Sequence, residues 1–243
     1  MLPGVRPLFE IVHEDADLLV INKPADLVCH PTKGDEYSSL VSRVRLHLPP
    51  GAEAHLINRL DRETSGLVLV GKTPEAARAW RAIWERREVV KRYQAIVEGH
   101  LGPDQGRISA PLGKDESSPV AIKDCVRPDG APSETDFRVL RRFERQGAPY
   151  THLEVIPGSG RKHQIRIHLS HLGHPIVGDK IYGPDPQMYL DFVVGRLSAA
   201  QQARLRLANH ALHAGTLEAE CLGRAWRFHA PPPPEFLGFL QPA

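Results

Sequence analysis

Asn58-Arg59-Leu60-Asp61-Arg62-Glu63-Thr64-Ser65-Gly66-Leu67-Val68-Leu69-Val70 sets an aspartate in a short polar loop, two residues after an arginine and just before a run of aliphatics. Four consecutive aliphatics behind Thr-Ser-Gly read as a strand over 67–70 that is covered on both faces. Asp61 then lies at the mouth of a buried sheet, where an acid is costly unless it is paired. Two readings stay open at this point. Arg59 and Asp61 could form a structural salt bridge that fixes the loop, or arginine could keep Asp61 ionised as a nucleophile or base.

Outward from this stretch, strands and helices alternate irregularly. Residues 8–12 and 18–21 read as two short strands joined by the acidic turn at 13–17, and Lys23-Pro24 stops the second. A polar loop covers 26–36. Leu40, Val41, Val44 and Leu48 follow at helical spacing and end at Pro49-Pro50-Gly51. Thr73-Pro74 is a helix start, with threonine able to cap free amides and proline suited to the first turn. In that helix Ala76, Trp80, Ile83 and Trp84 form an apolar stripe that reads as core, with Arg78 and Arg81 largely on the other side.

The second half reads as a strand over 89–97, an extended loop or short irregular hairpins over 99–134, and strands over 136–140 and 151–156. A Gly-Ser-Gly turn at 158–160 opens a helix from about Lys162 to Leu172, ended by Gly173. Short helices are expected over 190–197 and 199–207, sheet edges over 212–221 and 225–230, then prolines at 231–234 and an apolar segment at 236–240. With no repeat and no clean linker, residues 1–243 are expected to form one α+β domain with a mixed or mainly antiparallel sheet.

The composition is that of an ordinary globule, 41% hydrophobic and 25% charged over 243 residues. No apolar run approaches the roughly 20 residues that span a bilayer, and no signal-peptide pattern opens the chain, so the expected setting is the cytoplasm without a membrane partner. Cys29, Cys125 and Cys221 are too few and too scattered for a disulfide scaffold or a thiolate zinc site. The formal charge is only +2, from 31 basic and 29 acidic residues, but it is unevenly spread. Residues 78–92 carry six basic side chains against two acidic ones, and Arg138, Arg141, Arg142 and Arg145 form a second group. Such surfaces could hold a polyanion, or be plain solvated faces.

Further candidates lie along the chain. Gly160-Arg161-Lys162-His163-Gln164-Ile165-Arg166 would set a helix start, with its amides and positive dipole end, beside basic side chains. Arg166 makes chemical sense as a bidentate partner of Asp61, while Arg161 and Lys162 could meet phosphate. Of His163, His168, His171 and His174, only His168 and His171 share a helical face, and no His-Glu-x-x-His pattern exists, so a metal is not expected. Lys91-Arg92-Tyr93 sets an aromatic hydroxyl beside basic residues. Tyr93 is either a half-buried strand tyrosine or a ring that stacks on a flipped base. Gly71-Lys72-Thr73 lacks the upstream glycine of a nucleotide loop, and nothing calls for another cofactor.

In order along the chain, these segments resemble the RluA-type family of RNA pseudouridine synthases. The resemblance rests on Val20-Ile21-Asn22-Lys23-Pro24, His30-Pro31, Arg59-Leu60-Asp61 with Thr64-Ser65-Gly66-Leu67, Lys91-Arg92-Tyr93, residues 160–166, His174-Pro175-Ile176-Val177-Gly178-Asp179 and Leu212-His213-Ala214, and covers about 8–240. It implies isomerisation of uridine in structured ribosomal or transfer RNA without cofactor or metal; a monomer is expected separately, because no obvious exposed apolar helix is present in the sequence. Asp61 would be the catalytic residue, Arg166 its charge partner and Tyr93 the ring against the base. Arg59, Arg78, Arg81, Arg161, Lys162 and His163 would contact RNA, and Thr64, Ser65 and Gly66 would support the loop. Asn58 stands where the family commonly has histidine, and Ser159 where it commonly has threonine. Many relatives also carry an N-terminal S4 RNA-binding domain, for which no room is expected here. The rival readings are a silent RNA-binding or remodelling protein and, further off, a hydrolase that releases the base; the latter would normally want a second, equally marked carboxylate.

Overall fold

The computed structural model describes residues 9–31, 38–183 and 185–242. It divides into two compact units, Met1–Lys91 with Ala214–Pro233 and Arg92–His213 with Pro234–Ala243. In the first unit, β1 (Glu10–Glu14) and β2 (Leu18–Lys23) pair antiparallel. Leu8, the expected start of the first strand, lies outside the described residues. The acidic turn between the strands has a local cause: one Asp15 carboxylate oxygen accepts the amides of Asp17 and Leu18, at 2.9 and 2.8 Å.

Helix α1 (Leu40–His47) is capped by Ser39, whose side chain accepts the amide of Ser42. It stops at Leu48, which is extended at ψ 154° because a proline follows. The short strand β3 (His55–Leu56) and β2 both pair with β4 (Ser65–Gly71), every residue of which is buried. Leu67 and Leu69 join Leu18 and Val20 in one core. Val68 and Val70, on the opposite face of the strand, are equally inaccessible. The aliphatic run therefore reads as it does because both faces of this strand are covered.

Helix α2 (Pro74–Glu85) begins as its sequence dictates, with the Thr73 hydroxyl accepting the Ala76 amide at 3.3 Å and Pro74 in the first turn. Ala76, Ala77, Trp80 and Ile83 face inward, and Trp80 meets Trp226 and Phe228. Trp84 is only half-buried, under the ammonium of Lys91 at 5.6 Å.

Chain order continues through β5 (Val90–Glu98), β6 (Gln105–Ser109), β7 (Leu112–Lys114), β8 (Asp124–Val126), β9 (Glu134–Arg145) and β10 (Ala148–Pro157). In the second unit the order β5-β10-β9-β6 is antiparallel, and β7 with β8 forms a separate ribbon. The β9–β10 hairpin is longer than the strands expected over 136–140 and 151–156. It closes at Gln146-Gly147, both at positive φ, so the arginine-rich stretch that obscured the alternation is strand up to the turn.

Helix α3 (Gln164–His171) starts two residues later than the sequence suggests, because His163 sits at φ 55°, a left-handed conformation that no helix continues through. The short helices α4 (Gln187–Val193) and α5 (Ala199–Leu205) follow, then strands β11 (Leu212–Cys221) and β12 (Arg224–His229). These two strands extend the first unit's sheet in the order β1-β2-β4-β11-β12. The apolar segment near the end is a helix, α6 (Pro234–Leu240), whose Phe236 and Phe239 enter the second unit's core. The result is α+β with mainly antiparallel sheet, as expected.

Gly66 shows how tightly the first unit is built. It adopts φ +115°, and a Cβ there would lie 2.3 Å from the Ala214 carbonyl oxygen. Gly66→Ala is expected to destabilise the protein by about 3 kcal/mol, combining backbone strain with a clash against main chain that has nowhere to go. Urea denaturation measures it; a loss below half that value would show that β4 can shift away from β11.

Candidate active site

In the first unit, the loop carrying Asp61 is tied down at several backbone points. Asn58 anchors its start: its side-chain amide donates to the Leu67 carbonyl at 3.2 Å and its oxygen accepts the Leu69 amide at 2.8 Å. Asn58 thereby acts as a strand would against β4, which accounts for the residue that departs from the family pattern. The Cys29 thiol lies 3.4 Å from both the amide and the carbonyl oxygen of Leu60, accepting from one and donating to the other. A turn bond from the Thr64 amide to the Asp61 carbonyl, 3.2 Å, closes the loop. Asp61 is half-buried, Arg59 is exposed, and Thr64, Ser65 and Gly66 are buried.

Lys23 has no solvent exposure, and its ammonium donates to the carbonyls of Pro24, Leu27 and Arg62 at 2.8, 2.9 and 3.1 Å. It therefore binds the turn after β2 to the residue that follows Asp61. Burial pulls its pKa down to about 8, against the opposing pull of Cys29 in its ionised form and of the Asp61 and Asp26 carboxylates, which favour the ammonium. Asp26 also meets Arg62 at 2.7 Å on the surface. Sequence reading noted Lys23 only as the end of a strand. A lysine just before a proline gives no sign that its amine will be enclosed.

In the second unit, Tyr93 on β5 lies opposite Val155 of β10 and packs, half-buried, against the core. The segment 158–164 is folded around Gln164. This buried side chain accepts the Ser159 hydroxyl at 2.6 Å and the Arg161 amide at 3.1 Å, and donates to the Glu134 carbonyl and the Thr135 hydroxyl. Ser159 thus keeps the function that a threonine hydroxyl would have there.

Arg166 is buried on α3, and its guanidinium grips Asp179 through Nε and Nη2 at 2.7 and 2.8 Å. Burial alone would raise the Asp179 carboxyl, yet the Arg166 charge and hydrogen bonds hold it well below the carboxylate range. Asp179 is the residue that sequence reading missed. Its signal was the Gly178-Asp179 pair, visible in the motif but without an assigned partner.

The expected RNA contacts divide by environment. Arg59 and Arg161 are exposed, Arg78 pairs with Glu75 on the surface at 2.9 Å, and Arg81 donates to the Leu56 carbonyl. Lys162 pairs with Asp124 at 2.8 Å, and the His163 ring is hydrogen-bonded to the Tyr182 hydroxyl at 2.8 Å. The second basic group has internal work. Arg141 and Arg145 donate to the Leu240 and Gln241 carbonyls at the end of α6, Arg138 meets Glu154, and Arg142 meets Asp104 together with the Leu101 and Gly102 carbonyls. His168 is fully buried, with one ring nitrogen on the Thr135 hydroxyl and the other on the Ala110 carbonyl, so both are engaged within the fold.

Residues 17–171 match the family model described as RNA pseudouridylate synthase. The chain is 33% identical over 236 residues to a ribosomal large subunit pseudouridine synthase D of Haemophilus ducreyi, covering 95% of this chain and 69% of that protein. It is 37% identical to the Pseudomonas aeruginosa protein of the same name, covering 96% and 71%. Among solved structures, human RNA pseudouridylate synthase domain containing 1 superimposes with a TM-score of 0.76 at 28% identity, covering 96% of this chain and 87% of that one. The chain belongs to the RNA pseudouridylate synthase family. It is an RNA pseudouridine synthase, an isomerase. Among the described residues no helix is long and apolar enough to cross a membrane.

The buried amine makes a prediction on stability. Below pH 8 Lys23 is charged in both folded and unfolded chains, and its burial cost is felt in full. Between about 8 and 10.5 the folded chain has lost a proton that the unfolded chain keeps, so this residue's contribution rises with pH. The stability of the wild type relative to Lys23→Met is expected to increase by about 3 kcal/mol across that window. Urea titrations of both proteins at several pH values check this; a pH-independent difference would show that water reaches the amine.

Proposed function

We propose that this enzyme isomerises uridine in large-subunit ribosomal RNA with Asp61 as its catalytic residue. The ribosomal assignment draws on the names of the bacterial relatives, which also favour a cytoplasmic setting. We take the working unit to be a single-domain monomer. The observation that carries Asp61 is the restraint on its loop. Main chain on both sides of the residue is fastened by Asn58, Cys29 and Lys23, and Asp61 as a residue is half-buried. A merely structural aspartate needs no such scaffold, whereas a reacting group must be held to within a fraction of an ångström.

The target base must leave its stack to reach a recessed carboxylate, and this costs least in a loop or irregular region of RNA. Exposed Arg59 is suited to hold the opened strand. Asp61 assists cleavage of the bond from C1′ to N1, by attack at C1′ or by removing the 2′ proton. The freed uracil turns and rejoins through C5; C5 loses its proton and N1 gains one, so the product has the composition of the substrate. Tyr93 stacks on the base, and Arg166 supplies positive charge to the same reaction. Arg78, Arg81, Arg161, Lys162 and His163 are the side chains proposed to meet RNA. The pairing of Arg78, Lys162 and His163 with protein groups means that RNA has to compete for them.

Asp61→Asn is expected to leave the fold and most RNA binding intact while lowering pseudouridine formation by at least about 1,000-fold. Pseudouridine and free uracil are measured together in RNA treated with the purified protein. Undiminished isomerisation would sink the role of Asp61, and free uracil in place of pseudouridine would sink the isomerase reading in favour of a hydrolase. Tyr93→Phe keeps the ring and removes the hydroxyl; wild-type turnover there would confine Tyr93 to stacking.

A further inference from the structure

Arg166 is held from two sides. On one, Asp179 receives the guanidinium fork at 2.7 and 2.8 Å, with the two side chains 5% and 0% exposed. Asp179 cannot turn, because the oxygen facing Nη2 also accepts the amides of Ile181 and Tyr182, at 2.9 and 3.0 Å. On the other side, the Tyr182 ring lies 5.0 Å from the guanidinium carbon. That ring is fixed at its far end, where the hydroxyl takes a hydrogen bond from the Asp124 amide at 3.2 Å and is bonded to His163 Nδ1 at 2.8 Å. The left-handed turn at His163 is what aims its ring at that hydroxyl.

We infer that Asp179 is a positioning residue for the isomerisation, which with Tyr182 sets the place and the plane of the Arg166 guanidinium. The inference rests on the proposed role of Arg166 in the reaction. Fold stability alone is a poor explanation of the pair. An enclosed ion pair is usually no better for stability than apolar side chains of the same volume, and is often worse. What it does supply is direction: a planar fork on a carboxylate that is itself anchored has one orientation. Both jaws come from the loop after α3, and the Tyr182 ring is tethered in turn to β8 and to the turn before α3. A displaced guanidinium would therefore require several backbone segments to move together.

The test uses the full chain, an RNA fragment carrying the modified site, and Asp179→Asn, Arg166→Lys and the double variant. Asp179→Asn is expected to lower kcat about 100-fold while KM for RNA stays within about twofold, because misplacing one group costs chemistry and not binding. The double variant should lose no more kcat than Arg166→Lys alone, since Asp179 acts through Arg166. If the losses multiply, or if folded Asp179→Asn keeps wild-type kcat, the inference is overturned. If Arg166→Lys keeps wild-type kcat, a positive charge suffices there without a planar fork and the inference is overturned, whereas wild-type kcat in folded Arg166→Met would sink the proposed charge role itself, an outcome distinct from the others. Should Asp179→Asn fail to fold by circular dichroism, Asp179→Glu keeps the ion pair and shifts the fork by one methylene. A kcat about tenfold lower in that folded variant supports positioning, and an unchanged kcat overturns it.

Discussion

The Lys23 ammonium is enclosed by protein and its three protons are spent on three main-chain carbonyls. An isolated charge in such a place would be very expensive, and only complete hydrogen bonding makes it tolerable. Once it is there, the carbonyls cannot leave it, because each would abandon a charged donor with no water to replace it. The turn after β2 and the residue after Asp61 are therefore held at one point. The order of the rest of the loop follows, with Asn58 registering it on β4 and Gly66 letting β4 pass close to the backbone of Ala214. In the second unit the fork of Arg166 on Asp179 has the same logic, with charge confined where only one geometry satisfies it.

Much of this was legible in the sequence where local rules dominate. The Thr73-Pro74 start, the Asp15 turn, the aliphatic strand over 67–70 and the order of elements all follow from residues within a few positions of each other. What escaped reading depended on partners far apart in the chain. Lys23 looked like the end of a strand because its acceptor at Arg62 is 39 residues away. Asp179 had no evident partner because the loop between it and Arg166 gives no hint of returning. The start of α3 was misplaced by two residues since the left-handed His163 is decided by Tyr182, which comes 19 residues later. The length of β9 was hidden by arginines whose acceptors include the carbonyls closing α6, almost a hundred residues on.

Charge clustering in the chain was a weaker guide than motif order. Two basic groups of similar appearance have different surroundings. The arginines of β9 cap the end of α6 and meet acids or carbonyls around them, which makes them part of the fold. The arginines of α2 lie on its exposed side, where ion pairs such as Arg78 with Glu75 are worth little and are easily exchanged for phosphate. A run of positive residues therefore indicates an RNA surface only once its internal acceptors have been counted.

The contact between Cys29 and Leu60 gives the protein a built-in gauge of its own motion. The thiol is 5% exposed, burial raises its pKa, and it is bonded to main chain one residue before Asp61. A thiol reagent can attack it only when that segment swings open, since the thiolate must form and be reached. Its alkylation rate, followed by mass spectrometry beside the half-buried Cys125, thus measures the free energy of local opening at the loop, separately from global unfolding. The frequency with which this loop breathes in the presence and absence of RNA becomes a number that can be read without altering a residue.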